Sequence, residues 1–571
     1  MIKCYLQWPP HQKGKDNVVK LLKSILVCLF LILGMPSLAA AASFSQPTPP
    51  IHYVKQIPTG SADCTSWDDA CGLQTALDIA EAGQQIWVAA GTYLPTKLTN
   101  TTEPRSATFT LETGVEIYGG FPETGREWID RNWVDNVTKL SGDIGTVGAN
   151  GDNSYHVVTG GGVDNTAILD GFTILKGNAV WPYGGGGLFN QNSSLTLRNI
   201  IISENNAGSN GGGMYNENSN PTLTNVTFSG NSATYGGGMH NEDSSPTLTL
   251  VTFSGNQARF GGGMANQTNS NPILSYVNFI DNTSESVGGG MVNYFSSPVL
   301  TNTIFTSNIG ESGGGLANLG SHPTLANVTF TGNTARMLGG GVYNQLGSLP
   351  TLTNVTITAN RATAGGGIYN MGNNTKLTLT NSIVWGNTTN QIYNYVSSLT
   401  PLVTYSDVEG AYPGEANINI DPLLGFLADN GGFTKTHALG AGSPAIDAGN
   451  PNNCPAIDQR GYYRPINGDG NPSKICDLGA FEYGSTAEGF TLTKAVDGCG
   501  SVAGTPEQTS YYFGDTLTLT ATTPPGCQFE GWSGDATGAG NPLTVTIYDN
   551  TNITANFKQI LFKYILFPIY K

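Results

Sequence analysis

Positive charge is scarce in this chain: 25 Lys and Arg stand against 41 Asp and Glu, a formal net charge of −16 over 571 residues. A surface of that sign repels phosphate backbones and anionic headgroups, which excludes nucleic acid as a partner. Histidine is rarer still, with 6 copies, and neither it nor the 8 Cys gathers in the short spacings of a zinc site. Charged residues of both signs make up only 12%, fewer than a helix-rich or a disordered chain carries. Long apolar runs are missing too, apart from Ser24 to Leu33. That run follows Lys3, Lys13, Lys15, Lys20 and Lys23 and leads into Ser37-Leu-Ala-Ala-Ala-Ala42, the order of a secretory signal. It is shorter than the roughly 20 residues of a bilayer span and ends at Gly34 and Pro36. Residues 1–42 are therefore expected to be a signal, and the long basic region leaves room for a start downstream of Met1. Its removal takes away five Lys and Asp16, leaving 20 basic against 40 acidic residues and a net charge of −20.

Cys4 and Cys28 leave with the signal. Fifteen connectivities are formally open to the remaining six Cys. Local pairing, Cys64 with Cys71, Cys454 with Cys476 and Cys499 with Cys527, is the economical choice in an oxidising compartment, because each pair sits in a different non-repeat region.

What the chain has in abundance is Gly, with 76 copies, beside Asn, Ser, Thr and a steady supply of Val, Ile, Leu and Phe, the makings of many short strands and tight bends. Eight times between Gly185 and Asn370 it writes Gly-Gly-Gly, an apolar residue, any residue, then Asn, at intervals of 25 to 27. The closing residues are Asn190, Asn216, Asn241, Asn266, Asn293, Asn318, Asn344 and Asn370. A second column runs in the same register as Asn205, Asn231, Asn256, Asn282, Asn308, Asn333, Asn360 and Asn387, each three residues after an Ile, Phe or Val.

Within one unit, Leu223, Val226, Phe228 and Met239 can face one way while Thr222, Thr224, Thr227 and His240 face the other, the period of strands buried on one side. Asn225 and Asn231 fall at the corners, where a left-handed backbone suits Asn and Gly. A turn of about 25 residues cannot bury its apolar face unless the next turn lies on it. Stacked in register at about 4.8 Å, like side chains become ladders. A leucine-rich repeat would show Leu at fixed short spacing and a helix-like half, both absent here, and a propeller blade is longer, so an all-β parallel β-helix is expected.

Phe228-Ser-Gly-Asn231 followed by Gly237-Gly-Met239 resembles the repeat of polymorphic outer membrane proteins within the pectin-lyase-like superfamily, over roughly residues 170–390. That resemblance implies a right-handed coil and, for the nearest repeat families, surface exposure and adhesion. Asp421-Pro-Leu-Leu, Gly442-Ser-Pro-Ala-Ile-Asp-Ala-Gly449, Asp458-Gln-Arg-Gly461 and Cys476-Asp-Leu-Gly-Ala-Phe-Glu482 look like the choice-of-anchor Q module, which implies a bacterial cell-surface context. Residues 489–558, with Phe529-Glu-Gly-Trp532-Ser-Gly-Asp535, resemble the internalin-type B-repeat, a small extracellular β-rich module. The expected order is therefore a signal at 1–42, an N-terminal segment with a capping helix at 43–84, and a β-helix at 85–400. An end module at 401–487, the B-repeat-like domain at 489–558 and an apolar tail at 559–571 follow. The helix is read from Leu73, Ala76, Leu77 and Ala80, with Gly83 closing the pattern and Ile86 opening the first strand.

Chemistry has few places to sit. Register would put Glu217 and Glu242 one strand apart, near the ~5 Å carboxyl separation of a retaining glycosidase, with Asp243 beside them. A Gly- and Asn-flanked bend equally attracts solvated acids, and Gln191 and Gln267 replace them in adjacent turns. No other cofactor than Ca²⁺ finds oxygen ligands, at Asp143, Asp152 and the Asn467-Gly-Asp469-Gly-Asn471 loop, each short of a full EF-hand spacing. The column Phe189, Tyr215, His240, then Tyr343 and Tyr369, is read as facing outward, where rings would bind sugars or a partner protein or simply stack on one another. Three functions are compatible with all this: an adhesin-like surface scaffold for a glycan or surface protein, a polysaccharide lyase or glycoside hydrolase, and a spacer displaying the C-terminal module.

Overall fold

The computed structural model describes residues 50–559, except 125–126, 397–399, 472–473, 487–488, 512–513, 537, 539 and 548–549. The expected signal and the tail from 560 onward lie outside the described residues. Each repeat folds as three short strands, such as Thr222–Ser229, Ser232–Tyr235 and Met239–Glu242. They stack into three parallel sheets of 19, 7 and 11 strands, a parallel β-helix. Like pairs with like: Leu223 with Leu248, Phe228 with Phe253, Asn216 with Asn241.

Inside, Phe228, Phe253, Phe279, Phe305 and Phe330 stack at 4.6 to 4.9 Å with planes within 7° of parallel. That spacing is the strand separation, so each ring is held by the rung that carries it. Every Asn of the first ladder from Asn190 donates its Nδ2 to the Oδ1 of the next at 2.8 to 2.9 Å. In the second ladder each Oδ1, from Asn231 to Asn387, accepts both the side-chain and the backbone N–H of the preceding Asn, at 2.9 to 3.1 Å. Buried amides satisfied this way escape the desolvation penalty that orphaned ones would impose.

Asn225 adopts the expected left-handed corner at φ 54, but the corner by Asn231 falls one residue earlier, on Gly230 at φ 62. Asn231 itself points inward because its amide is needed in the ladder. The glycine triplet does two jobs. Gly236 takes φ +60, while a Cβ on Gly237 would come 2.3 Å from the Gln257 carbonyl oxygen and 2.6 Å from that of Gly262. Gly237→Ala is therefore expected to lower stability by about 2–3 kcal/mol, read as a lower urea midpoint. An unchanged midpoint would mean that neighbouring rungs move apart freely.

Both ends of the helix extend past the sequence expectation. Ile51–Val54 already pairs in parallel with Gln85–Ala89, so the first rung precedes the helix. The helix itself is confined to Leu73–Ile79, because the chain before it is occupied by turns tied by the Cys64–Cys71 bridge; it buries Leu73, Ala76 and Leu77 in the core. Towards the far end, still within the expected span, Ile392–Asn394 continues the third sheet, and Asn370 donates to Asn394 at 2.8 Å. Leu402–Thr404 and Asp407–Val408 add to the large sheet.

The chain from 430 to 482 then folds back onto the outer face of the large sheet. Asn327 Nδ2 donates to the Ile457 carbonyl and Asn354 Nδ2 to that of Asp477, both at 2.9 Å; Asn381 Nδ2 donates to Asn453 O at 3.0 Å. These are the left-handed corner positions of three successive rungs. Within this segment Arg464 and Glu482 pair at 2.8 Å with both side chains fully buried, and Asp458 pairs with Arg460 at 2.6 Å. The Cys454–Cys476 bridge ties the segment together. Residues 490–559 form a separate β-rich unit of two three-stranded sheets around Leu519, Trp532, Ile547 and Ala555, closed by Cys499–Cys527.

Candidate functional site

Glu217 and Glu242 are register partners in the third sheet, as their spacing requires. Both carboxylates are already engaged: the Tyr215 hydroxyl donates to Glu242 Oε2 at 2.6 Å, and Gln191 Nε2 donates to Glu217 Oε2 at 3.0 Å. Burial first, and then the Glu242 carboxylate, raises the Tyr215 phenol, so this hydroxyl acts as a donor and not as a base. Asp243 is exposed in a left-handed turn at φ 47. The oxygen ligands proposed for Ca²⁺ serve turns: Asp143 accepts from Gly148 N at 2.9 Å, Asp152 from Thr146 N at 2.7 Å, and Asp469 from Asn471 N at 2.9 Å. Among the described residues no group of three or more His, Cys, Asp or Glu is placed to hold a metal.

The expectation that the aromatic column faces outward is corrected. Tyr215, His240, Tyr343 and Tyr369 are 8%, 0%, 5% and 4% exposed, and Phe189 is half-buried. Alternation along Met239–Glu242 does point His240 away from the Met239 core, but the glycine corner at 236–238 folds the preceding strand back over it. The Tyr235 ring comes to 5.8 Å from His240 and the Phe260 ring to 4.9 Å from Tyr235. The column is a second internal stack, running His156, Phe189, Tyr215, His240 at 5.1 to 5.5 Å. Burial holds the His240 pKa down to about 3, with the Gln267 side chain opposing. His156 and Tyr393 belong to the same stacks and escaped the sequence pattern because their rungs lack the glycine triplet.

The open surface is instead the outer face of the large sheet. The late rungs lie under the folded-back segment, where Thr329 and Thr356 are fully or nearly fully buried. The early rungs present Thr222, Thr224 and Thr227, then Thr247, Thr249 and Thr252, in register. Beside them a cleft of about 1020 Å³ opens, lined by Trp128, Arg131, Trp133, Arg198, Asn199 and Asn225 on the solenoid side. Asp170 anchors one wall: its Oδ1 accepts from Arg131 Nη2 at 2.5 Å and Asn199 Nδ2 at 2.9 Å, and Asn199 Oδ1 accepts from Asn225 Nδ2 at 2.8 Å. The opposite wall is the edge of the 490–559 unit, including Thr516, Thr518, Leu543, Thr544 and Asp535. None of these residues stands out in the sequence as a cleft, because Trp128, Arg131, Trp133 and Asp170 lie in irregular rungs before the first glycine triplet and the rest come from the repeats and the distant 490–559 unit. The Trp128, Trp133 and Arg131 cluster in a short stretch was the one available signal.

Residues 490–561 match the divergent InlB B-repeat domain family, and residues 327–345 match the Chlamydia polymorphic membrane protein repeat. The solenoid thus carries a repeat of the kind its motif resembles, and a B-repeat-like module follows. No curated protein matches the sequence. Among solved structures, pectate lyase Pel9A is similar at 13% identity and a TM-score of 0.40, covering 77% of this chain and 98% of that one. The PL6 family alginate lyase AlyGC is similar at 12% identity and a TM-score of 0.37, covering 78% of this chain and 61% of that one. The A-module of the Azotobacter vinelandii mannuronan C-5 epimerase AlgE4 follows at 13% and 0.25, covering 61% and 94%.

Proposed function

We propose that this chain is a secreted or cell-surface bacterial scaffold that binds a glycan or a surface protein along its solenoid, an adhesin-like role. The observation that carries this reading is the outer face of the large sheet, where Thr222, Thr224 and Thr227 lie in register with Thr247, Thr249 and Thr252 of the next rung, and Thr196 continues the first of these columns. A parallel sheet spaces such groups by about 4.8 Å, a fixed comb of donors and acceptors suited to an extended polar ligand. Three disulfides in separate regions fit an oxidising, extracellular setting. Attachment to the envelope would run through the end module at 401–487, whose motifs resemble the choice-of-anchor type. The carboxylates nearest to a glycosidase arrangement are committed to Tyr215 and Gln191.

The test combines binding and turnover. The protein is applied to arrays of glycans and of cell-surface proteins, and incubated with pectins, alginates and neutral polysaccharides with and without Ca²⁺. Retention on an array without new reducing ends or unsaturated products is the expected result. Cleavage that disappears in Glu217→Gln or Glu242→Gln would replace the scaffold by a hydrolase or lyase.

A further inference from the structure

We infer that the cleft between the early rungs and the C-terminal unit is a binding site for a neutral oligosaccharide, with the solenoid and the 490–559 unit each supplying one wall. This rests on the scaffold reading and adds to it a place and a class of ligand. Three features of the cleft select that class.

The first is size and shape. At about 1020 Å³ the cleft sits at the upper end of small-ligand pockets, with room for several sugar rings in a row.

The second is its surface chemistry. Trp128 and Trp133 are half-exposed, and Trp128 is held edge-on to Tyr118 at 4.8 Å and tilted against Trp87 at 5.5 Å. A ring fixed in this way offers a flat apolar face without losing side-chain freedom on binding. Around it stand hydroxyls and amides: Thr196, Thr222, Thr224 and Thr249 on the floor, Thr518 and Thr544 on the far wall. Alternating apolar faces and hydroxyl edges are what a pyranose chain presents in return.

The third is charge. The cleft holds Arg131 and Arg198 against Asp170 and Asp535, a balance of two to two. Arg131 is spent on Asp170 and on the Gly119 carbonyl at 2.7 Å, with side chains 11% and 8% exposed, so it offers no free cation to an acidic sugar. The remainder of the protein is strongly acidic, which disfavours a uronate or sulfated polymer further. An uncharged glycan meets none of these penalties.

The far wall matters as much as the near one. Leu543–Thr546 pairs with Thr516–Thr522 so that Thr544 and Thr546 stand beside Thr518 and Thr516 on one face of the sheet, and all four line the cleft. A Cβ on Gly540 would lie 3.8 Å from the Trp128 ring, so the C-terminal unit approaches the tryptophan closely enough to close one end of the site.

The experiment is a titration of the full chain, followed by tryptophan fluorescence and calorimetry, with gluco-, manno-, xylo- and galacto-oligosaccharides beside oligogalacturonate and oligomannuronate. A neutral series is expected to bind, with affinity rising with length. Trp133→Ala, Thr224→Lys on the floor and Thr544→Lys on the far wall should each weaken it by about tenfold or more, with unchanged far-UV circular dichroism. Thr224→Lys and Thr544→Lys sit on solvent-facing strand positions, so they report on the cleft even where Trp133→Ala perturbs folding. Preference for the uronates, or a neutral glycan whose affinity is the same in both Lys variants, overturns the cleft assignment while leaving the scaffold reading in place. Failure of every glycan in the titration also overturns it, and the protein arrays then decide the scaffold reading separately.

Discussion

Arg464→Met is expected to cost the folded protein roughly 3–5 kcal/mol, the penalty of leaving a buried carboxylate without its partner. Arg464 Nε pairs with Glu482 at 2.8 Å where neither side chain touches solvent, and Nη2 donates to the Gly479 carbonyl at 3.1 Å. Methionine fills much of the volume and none of the charge. Asp477 lies in the same pocket, its carboxyl pushed up to about 8 by burial and by the neighbouring Glu482, with Arg464 pulling the other way. Loss of that cation raises it further. The damage should be local: the 430–482 segment is tied to the solenoid by corner amides and this pocket, so it is expected to become sensitive to limited proteolysis before the rungs do. Equal protection of that segment in wild type and variant would show that the ion pair is not what seats it. In the wild type the raised Asp477 pKa means that the folded state holds the proton more tightly than the unfolded one. Its contribution is complete below about 4 and is lost as pH rises through about 8.

The second large effect runs in the opposite direction of pH. His240 is fully buried between Tyr215 and Tyr235, and its pKa of about 3 lies far below the ordinary 6.5. The unfolded chain therefore binds a proton that the folded chain refuses. Stability from this group is complete above about 6.5 and declines as pH falls towards 3, reaching a loss on the order of 3 kcal/mol near pH 4. His156, whose pKa is also lowered by burial, adds to the same trend. His240→Phe keeps a flat ring in the stack and removes the titration, so its melting temperature should fall less between pH 7 and pH 4 than that of the wild type. Parallel curves for the two proteins would mean that the ring is solvated before the rungs separate.

Repetition made the solenoid legible. Eight glycine triplets and two Asn columns at one spacing admit a single way of stacking, and Asn216 over Asn241 or Phe228 over Phe253 followed directly. What repetition could not tell is what covers each face. Period-two alternation sent His240 and Tyr215 away from the Met239 core, correctly, and then placed them in water, because the reversal at Gly236 that lays Tyr235 over them is a property of three-dimensional closure. The same limit hid Asn394 as a member of the first ladder, which it continues in a rung whose glycines are gone. It also hid the cleft, since Trp128, Asp170 and Asn225 are 97 positions apart at their extremes and share no motif. The disulfides were readable because each closes a short local loop.

The two asparagine columns have a polarity that their hydrogen-bond lengths do not reveal. In the first, every amide turns its NH₂ towards the C-terminal end and its carbonyl towards the N-terminal end, from Asn190 through to Asn394; in the second the carbonyls face the same way, while each NH₂ donates both forward to the next Asn and back to a backbone carbonyl of the preceding rung, as Asn256 does to Asn282 and Phe228. Aligned amide dipoles polarise one another, so each row behaves as a molecular electret in which flipping one member breaks a bond on either side. The orientation is set once, for the whole row, and the oxygen left over at Asn190 faces a glycine, Gly160, where the row runs out. A rung added or lost in the middle would leave that alignment intact, whereas one carrying any residue but asparagine would split the electret into two.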